Sequence, residues 1–199
     1  MSKFSKNFQI VTQVKHWTEN LFSFRITRPQ SFKFRSGEFV MIGLLDSNDK
    51  PILRAYSICS PSWSEELEFY SIIVRDGPLT SKLKNIKIGD EIIMMPKSTG
   101  TLVLDALKPG KRLFLLSSGT GFAPFAALIR EPETYERFES IIVTHTCRMI
   151  AELSYSQSII QECKNDELIR EFIDNKLLSY HSTTRDNYIF NGRITELIS

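Results

Sequence analysis

Three short segments hold residue types that could do chemistry together. Ser117-Ser118-Gly119-Thr120-Gly121-Phe122-Ala123-Pro124 is a glycine-bearing turn between an apolar run and a helix-forming stretch. Its two glycines let the backbone come close to a ligand, Pro124 presets a first helical turn, and a helix start offers unpaired N–H groups to phosphate. No Gly-Lys-Ser/Thr follows, so it is not a Walker A loop, and it does not match the Gly-x-Gly-x-x-Gly dinucleotide pattern. Arg54-Ala55-Tyr56-Ser57 lines up a bidentate cation, an aromatic face and a hydroxyl, which suit a phosphate, a flat ring and one hydrogen bond. Gly77-Pro78-Leu79-Thr80-Ser81 is a helix start with two hydroxyls, again suited to an anion. Each segment alone has a plain structural alternative: a connecting turn, a half-buried edge strand with an exposed arginine, and an ordinary helix cap.

The elements that must position these segments are written in two periods. From Phe8 to Pro96 short alternating stretches rich in β-branched and aromatic residues recur at 8–12, 21–26, 39–42, 67–73 and 91–94, separated by Gly, Pro, Asn and Asp. That spacing predicts an antiparallel barrel or sandwich with one short helix over 79–83. From about Leu107 onward, apolar runs at 113–117, 141–146 and 177–181 alternate with helical patterns after Gly121, over 151–163 and over 166–175. Strands alternating with helices imply a parallel sheet, and the unbroken run Leu113-Phe114-Leu115-Leu116 predicts a strand covered on both faces. The expected boundary divides the chain into 1–106 and 107–199.

Composition excludes several classes of function. With 199 residues, 42% of them hydrophobic, either half can bury a core of its own. A formal charge of +2 gives the whole chain no polyanion-binding character, so nucleic acid is not an expected partner. Cys59, Cys147 and Cys163 form no C-x-x-C pair, and His145 with Cys147 makes only two ligands, so neither a metal site nor a disulfide framework is expected. The opening MSKFSKNFQIV has no apolar leader core, and no stretch nears the ~18 apolar residues needed to span a bilayer. A cytoplasmic monomer with no membrane contact is the expectation.

The three segments occur in one order and at one set of distances, followed by Thr144-His145-Thr146-Cys147-Arg148. Together with Ser60-Pro61 to Glu68-Phe69, Lys97-Ser98-Thr99-Gly100-Thr101-Leu102 and Glu152-Leu153-Ser154-Tyr155, they resemble the bacterial ferredoxin(flavodoxin)–NADP(H) reductases along nearly the whole chain. The resemblance implies an N-terminal antiparallel β-barrel holding FAD and a C-terminal α/β parallel-sheet domain holding NADP(H). It implies hydride transfer between nicotinamide C4 and flavin N5, with electrons then passed to a ferredoxin or flavodoxin. Alternatives are the reductase component of an oxygenase system and a non-catalytic flavin-binding remnant.

Carried over by position, the resemblance gives catalytic roles to Tyr56, Ser57 and Thr120. Arg54 would pair with the FAD pyrophosphate, Tyr56 would flank the isoalloxazine, and Ser57 would bond near N5. Ala55, Ile72, Ile73, Val74, Leu79, Thr80 and Ser81 would complete the flavin site, with Gly119, Thr120 and Gly121 where nicotinamide and flavin meet. Arg148, Arg185 and Arg193 would serve the 2′-phosphate, since guanidinium forks match a dianion, and NADP is therefore preferred to NAD. The carrier would be acidic: from Arg75 to Arg112 there are eight Lys and Arg against four acids, a patch able to steer such a partner. Family members also continue through a Cys-Gly strand, another helix and strand and a C-terminal aromatic segment, none of which this sequence contains. The parallel sheet is therefore expected to be incomplete, with an open edge at 113–117 and a poorly covered helix after Gly121.

Overall fold

A computed structural model describes residues 7–197. Residues 1–6, on which part of the expectation about a leader falls, and Ile198–Ser199 lie outside the described residues. Strands β1 (Phe8–His16), β2 (Leu21–Thr27), β3 (Phe39–Leu45), β4 (Pro51–Ser57), β5 (Glu66–Ile72) and β6 (Glu91–Thr99) form one antiparallel sheet in the order β4-β3-β6-β1-β2-β5, with helix α1 (Thr80–Leu83) between β5 and β6. The sheet curls around a core that includes Phe22, Phe24, Val40, Ile42, Phe69 and Ile92, the inward residues of alternating strands. The ends of the order, β4 and β5, are not joined by a ladder. They meet through side chains, with the Tyr56 hydroxyl 2.9 Å from Ser71 Oγ. The barrel therefore has a seam, and the seam faces outward along Arg54–Ser57.

Strand β6 runs past the expected 91–94 to Thr99, straight through Pro96. The pairing explains how. Val40 opposes Ser98 and Ile42 opposes Met94, so the residues between bulge away from β3, and Pro96 sits where no ladder N–H is needed.

The second sheet is parallel, β7 (Arg112–Ser118), β8 (Ser140–Cys147) and β9 (Leu177–Thr183), in the order β7-β8-β9. Helices α2 (Ala123–Leu128), α3 (Pro132–Arg137), α4 (Ser154–Asn165), α5 (Arg170–Lys176) and α6 (Ile194–Leu197) complete it. The expected helix over 166–175 starts four residues later, because Asp166 Oδ1 first accepts the Leu168 N–H and closes a turn. The expected 151–163 helix is entered through a 3₁₀ turn over Ile150–Leu153.

Two expectations about this sheet are corrected. The β7 run is not covered on both faces: Leu113, Leu115 and Ser117 point inward, whereas Phe114 is 49% and Leu116 43% exposed. In register across β8 lie Leu178 and Tyr180, also exposed, so this face is open along its two outer strands while Ile142 and Thr144 between them stay buried. The helix after the glycine turn is not poorly covered, since all six residues of α2 are buried. The reason is that α2 packs on the inner sheet face and also into a cluster with Leu21, Cys59, Tyr70 and Leu104 of the first half.

The two halves are joined by a buried polar node. Arg130 Nη2 lies 3.1 Å from Glu68 Oε2, with side-chain exposures of 12% and 7%, and donates to the Cys59 carbonyl at 2.6 Å. The Tyr155 hydroxyl donates to the other Glu68 oxygen at 3.1 Å, and its ring stacks on Tyr70 with centroids 4.1 Å apart. Burial works against the Arg130 charge, but the Glu68 carboxylate beside it holds its pKa above the ordinary value. A second tie runs from Glu131 Oε1 to Ser36 Oγ and the Ser62 N–H. Removing one partner of such a pair leaves a buried charge uncompensated. Arg130→Met should therefore destabilise the protein by about 3–5 kcal/mol in chemical denaturation, with Arg130→Met/Glu68→Gln recovering part of the loss.

Candidate active site between the two sheets

The seam of the barrel is the mouth of a hollow of about 430 Å³. Arg54, Ala55, Tyr56 and Ser57 of β4 form one wall, Tyr70, Ser71 and Ile72 of β5 another, and Val74, Gly77, Leu79 and Thr80 the rim. Thr120 and Ala123 of the second half close it. Tyr56 and Thr120, 64 positions apart in the sequence, thus face one space. Ile72 and Thr120 also line a second hollow of about 750 Å³, which continues past Ser117–Gly119 to Thr146, Arg148, Glu152, Thr184 and Arg193. That second space lies at the carboxyl ends of all three parallel strands, where α/β sheets take their ligands.

Local chemistry sets each wall. Tyr56 is held by Ser71 and by edge-on contacts with Phe24 and Phe69 at 6.5 and 6.2 Å. Burial raises its phenol pKa, with Ser71 partly opposing, so it stays protonated at neutral pH. Arg54 is exposed and, among the described residues, bonds its neighbour's carbonyl, Leu53 O, at 2.7 Å, which uses one of its five donors. Thr80 does not cap its helix. Its hydroxyl accepts the Val74 N–H at 3.1 Å and pins the 74–80 loop, and a Cβ at Gly77 would overlap this hydroxyl. Gly119 adopts φ +51, a left-handed conformation that favours glycine, and opens a 3₁₀ turn leading into α2. Space around Gly119 and Gly121 is clear on the side a Cβ would occupy.

Under the glycine turn lies a chain of polar side chains. His145 is 1% exposed, with Nε2 2.9 Å from Gly119 O and Nδ1 2.7 Å from Ser156 Oγ. Ser156 Oγ is in turn 3.1 Å from His181 Nε2. Burial, reinforced by His181 and opposed by the Gly119 bond, takes the His145 pKa down to about 4. Cys147 Sγ packs 3.2 Å from the same ring, and burial followed by the Glu152 carboxylate pushes that thiol up to about 12. The Glu152 carboxylate is committed to the Arg148 and Met149 N–H groups at 2.8 and 3.1 Å.

Most of the sequence-predicted positions come together here. Arg54, Ala55, Tyr56, Ser57, Ile72, Val74, Leu79, Thr80 and Thr120 share the smaller hollow, and Gly119, Thr120, Arg148 and Arg193 share the larger. Ile73, Ser81, Gly121 and Arg185 line neither; Ile73 packs on the barrel core, and the Arg185 N–H donates to the Arg148 carbonyl at 3.0 Å, beside the larger hollow. Tyr70 and Ser71 were outside the predicted set, although they directly precede Ile72 on the same strand. Among the described residues no group of three or more His, Cys, Asp or Glu is placed to hold a metal ion, and no helix is long and apolar enough to cross a membrane.

The donor set fits a flat ring carrying an anionic tail. Ile72 and Val74 offer apolar surface at 43% and 53% exposure, Arg54 a permanent cation, and the Tyr70 hydroxyl is buried with no partner among the described residues. In the larger hollow, Arg148 and Arg193 are exposed cations and the one carboxylate is already occupied, which fits a phosphorylated nucleotide.

Comparison with known proteins agrees with this geometry. Residues 9–113 match the oxidoreductase FAD-binding domain family. The chain is 61% identical over 188 residues to the flavodoxin/ferredoxin–NADP reductase of Rhodobacter capsulatus, covering 94% of this chain and 70% of that protein. It is 47% identical over 192 residues to the ferredoxin–NADP reductase of Azotobacter vinelandii, covering 96% and 74%. Its fold superposes with a TM-score of 0.84 on a ferredoxin NADP+ reductase from Neisseria gonorrhoeae crystallised with bound FAD and NADP, at 28% identity, over 100% of this chain and 76% of that one. The chain belongs to the flavodoxin/ferredoxin–NADP reductase family.

Proposed function

We propose that this chain is an FAD-dependent reductase that passes electrons between NADPH and a ferredoxin or flavodoxin. The observation that carries the reading is that residues of both halves of the chain, Tyr56 and Thr120, wall one hollow that runs into the arginine-lined one. A flavin bound in the smaller hollow supplies hydride acceptance from a dihydronicotinamide and release of electrons one at a time. The protein's part is to bind, align and exclude water, and it needs no acid–base triad.

The residues divide that work. Arg54 pairs with the flavin pyrophosphate as a fork donor, and Ile72, Val74 and Leu79 supply apolar contact. Tyr56, anchored at its hydroxyl and edge-packed on two phenylalanines, presents a fixed ring face, while Ser57 offers one hydrogen bond at the seam. Ala55, Ile73, Thr80 and Ser81 support the same wall, Thr80 by closing the 74–80 loop. Gly119 and Thr120 form the floor where the two nucleotides meet, and Gly121 continues the same turn behind it. Arg148, Arg185 and Arg193 take the 2′-phosphate, the first two joined through backbone after the ends of β8 and β9. Residues 1–106 are the FAD-binding domain and 107–199 the NADP-binding domain. The carrier is acidic: Arg75, Lys82, Lys84, Lys87, Lys97, Lys108, Lys111 and Arg112 are all exposed. The chain acts as a cytoplasmic monomer with no nucleic-acid or membrane partner.

A visible absorption spectrum tests the reading. Purified protein should be yellow and should bleach on addition of NADPH without air; colourless folded protein that gains no colour with added FAD would remove it. Replacing Arg148 or Arg193 with Ala should raise the Michaelis constant for NADPH about tenfold or more while that for NADH changes little, since a charge-assisted phosphate bond is lost in one case only. Equal effects on both nucleotides would refute the 2′-phosphate assignment. Turnover with an acidic ferredoxin should slow as ionic strength rises, whereas a salt-independent kcat/KM would remove the steering patch.

A further inference from the structure

The buried chain His145–Ser156–His181 is not used by any role given above, yet it ends on the glycine turn. We infer that His145 is a positioning residue for the reaction: its neutral Nε2–H tautomer, in a ring held in place by Ser156, ties down the Gly119 carbonyl and so aims the Thr120 amide at the meeting point of the two hollows. The inference rests on the reading of that meeting point as the place where nicotinamide and flavin come together.

The proton positions follow from which groups can only accept. Gly119 O has no proton to give, so the nitrogen 2.9 Å from it, Nε2 of His145, must carry one. A neutral imidazole then has Nδ1 as an acceptor facing the Ser156 hydroxyl at 2.7 Å, whose one proton is divided between Nδ1 and the Leu153 carbonyl at 2.9 Å. Ser156 Oγ also lies 3.1 Å from His181 Nε2, so the hydroxyl is held among two imidazoles and a backbone carbonyl. His145 and His181 occupy opposed register positions on β8 and β9, on the inner face of the sheet, and Ser156 reaches them from α4. Ring contact with Phe122, centroids 5.1 Å apart, holds the imidazole against the turn it supports. The titratable groups that face this pair are His181, Cys147 and Glu152; burial, with His181 adding to it, leaves the His145 ring uncharged.

The consequence for the site comes from peptide geometry. In a planar trans peptide the N–H of one residue points opposite to the C=O of the residue before it. With the Gly119 carbonyl drawn down to His145, the Thr120 N–H is turned away from the sheet. It is also a first-turn amide, free of an intrahelical partner by its position. Thr120 lines both hollows. Without the bond from His145, the Gly119–Thr120 peptide loses the contact that sets its tilt, at a residue whose left-handed φ leaves it free to turn.

The test uses the full chain with FAD, labelled with ¹⁵N. Long-range imidazole spectra should show His145 as the Nε2–H tautomer, neutral down to about pH 4. His145→Phe should weaken NADP+ binding about tenfold in calorimetry and shift the Thr120 amide resonance, and His145→Gln, which returns a donor near Nε2, should recover most of both. Ser156→Ala keeps the ring but removes the hydroxyl that holds it at Nδ1; it should loosen the ring and move the Thr120 amide in the same direction. A merely structural histidine would lower the melting temperature in these variants and leave NADP+ affinity and the Thr120 amide unchanged, which would overturn the inference, as would an Nδ1–H tautomer. If His145→Phe does not fold, the tautomer and the Ser156→Ala shift decide. A wild-type chain that takes up no NADP+ overturns the reductase reading instead, and the tautomer and amide shifts still decide the role of His145.

Discussion

The relative placement of two sheets with no shared ladder rests on one buried charge pair. Glu68 sits on the barrel strand that forms a wall of the smaller hollow, and Arg130 follows the helix that begins at the hollow's floor. Fixing Glu68 against Arg130 therefore fixes Tyr56 against Thr120. An apolar contact could hold the two layers at the right distance, but it would not fix their rotation; two oxygens bonded to two different elements do. The stacked tyrosines Tyr70 and Tyr155 add apolar area to the same joint without relaxing its direction.

Much of this was legible in the sequence because the relevant signals are local. Alternation gave five barrel strands, the apolar runs gave the three parallel strands, and the glycine turn fell between β7 and α2 as its neighbours implied. The Arg54–Ser57 segment proved to be both things its composition allowed, an edge strand and a wall of the hollow. What local signals did not contain was pairing. A run such as Leu113-Phe114-Leu115-Leu116 looks the same whether one face or two are covered, and only the placement of neighbouring elements decides that Phe114 and Leu116 stay open. The bulge that accommodates Pro96 depends in the same way on a partner strand some fifty residues upstream.

The site shows the same division. Arg54, Tyr56 and Thr120 announce themselves by residue type, whereas Tyr70, Glu68 and His145 are hidden in stretches that read as ordinary strand. Their polar atoms gain meaning only from what the fold brings beside them: a hollow for Tyr70, a guanidinium for Glu68, a backbone carbonyl for His145. Glu68 and His145 are satisfied by partners distant in the chain, whereas the buried Tyr70 hydroxyl has none among the described residues and faces the hollow instead.

The joint between the sheets also orders events on the ribosome. Glu68 is made 62 residues before Arg130 and 87 before Tyr155, so at 5–20 residues per second it waits roughly 3–12 s for its guanidinium. Until then its nearest cation is Arg25, 3.7 Å away across the β2–β5 pair in the finished fold. Strand β6, which joins β3 to β1, ends at Thr99, 31 residues before Arg130, so a barrel that closes in that interval holds Glu68 and the Tyr70 ring without the partners the α/β segment brings.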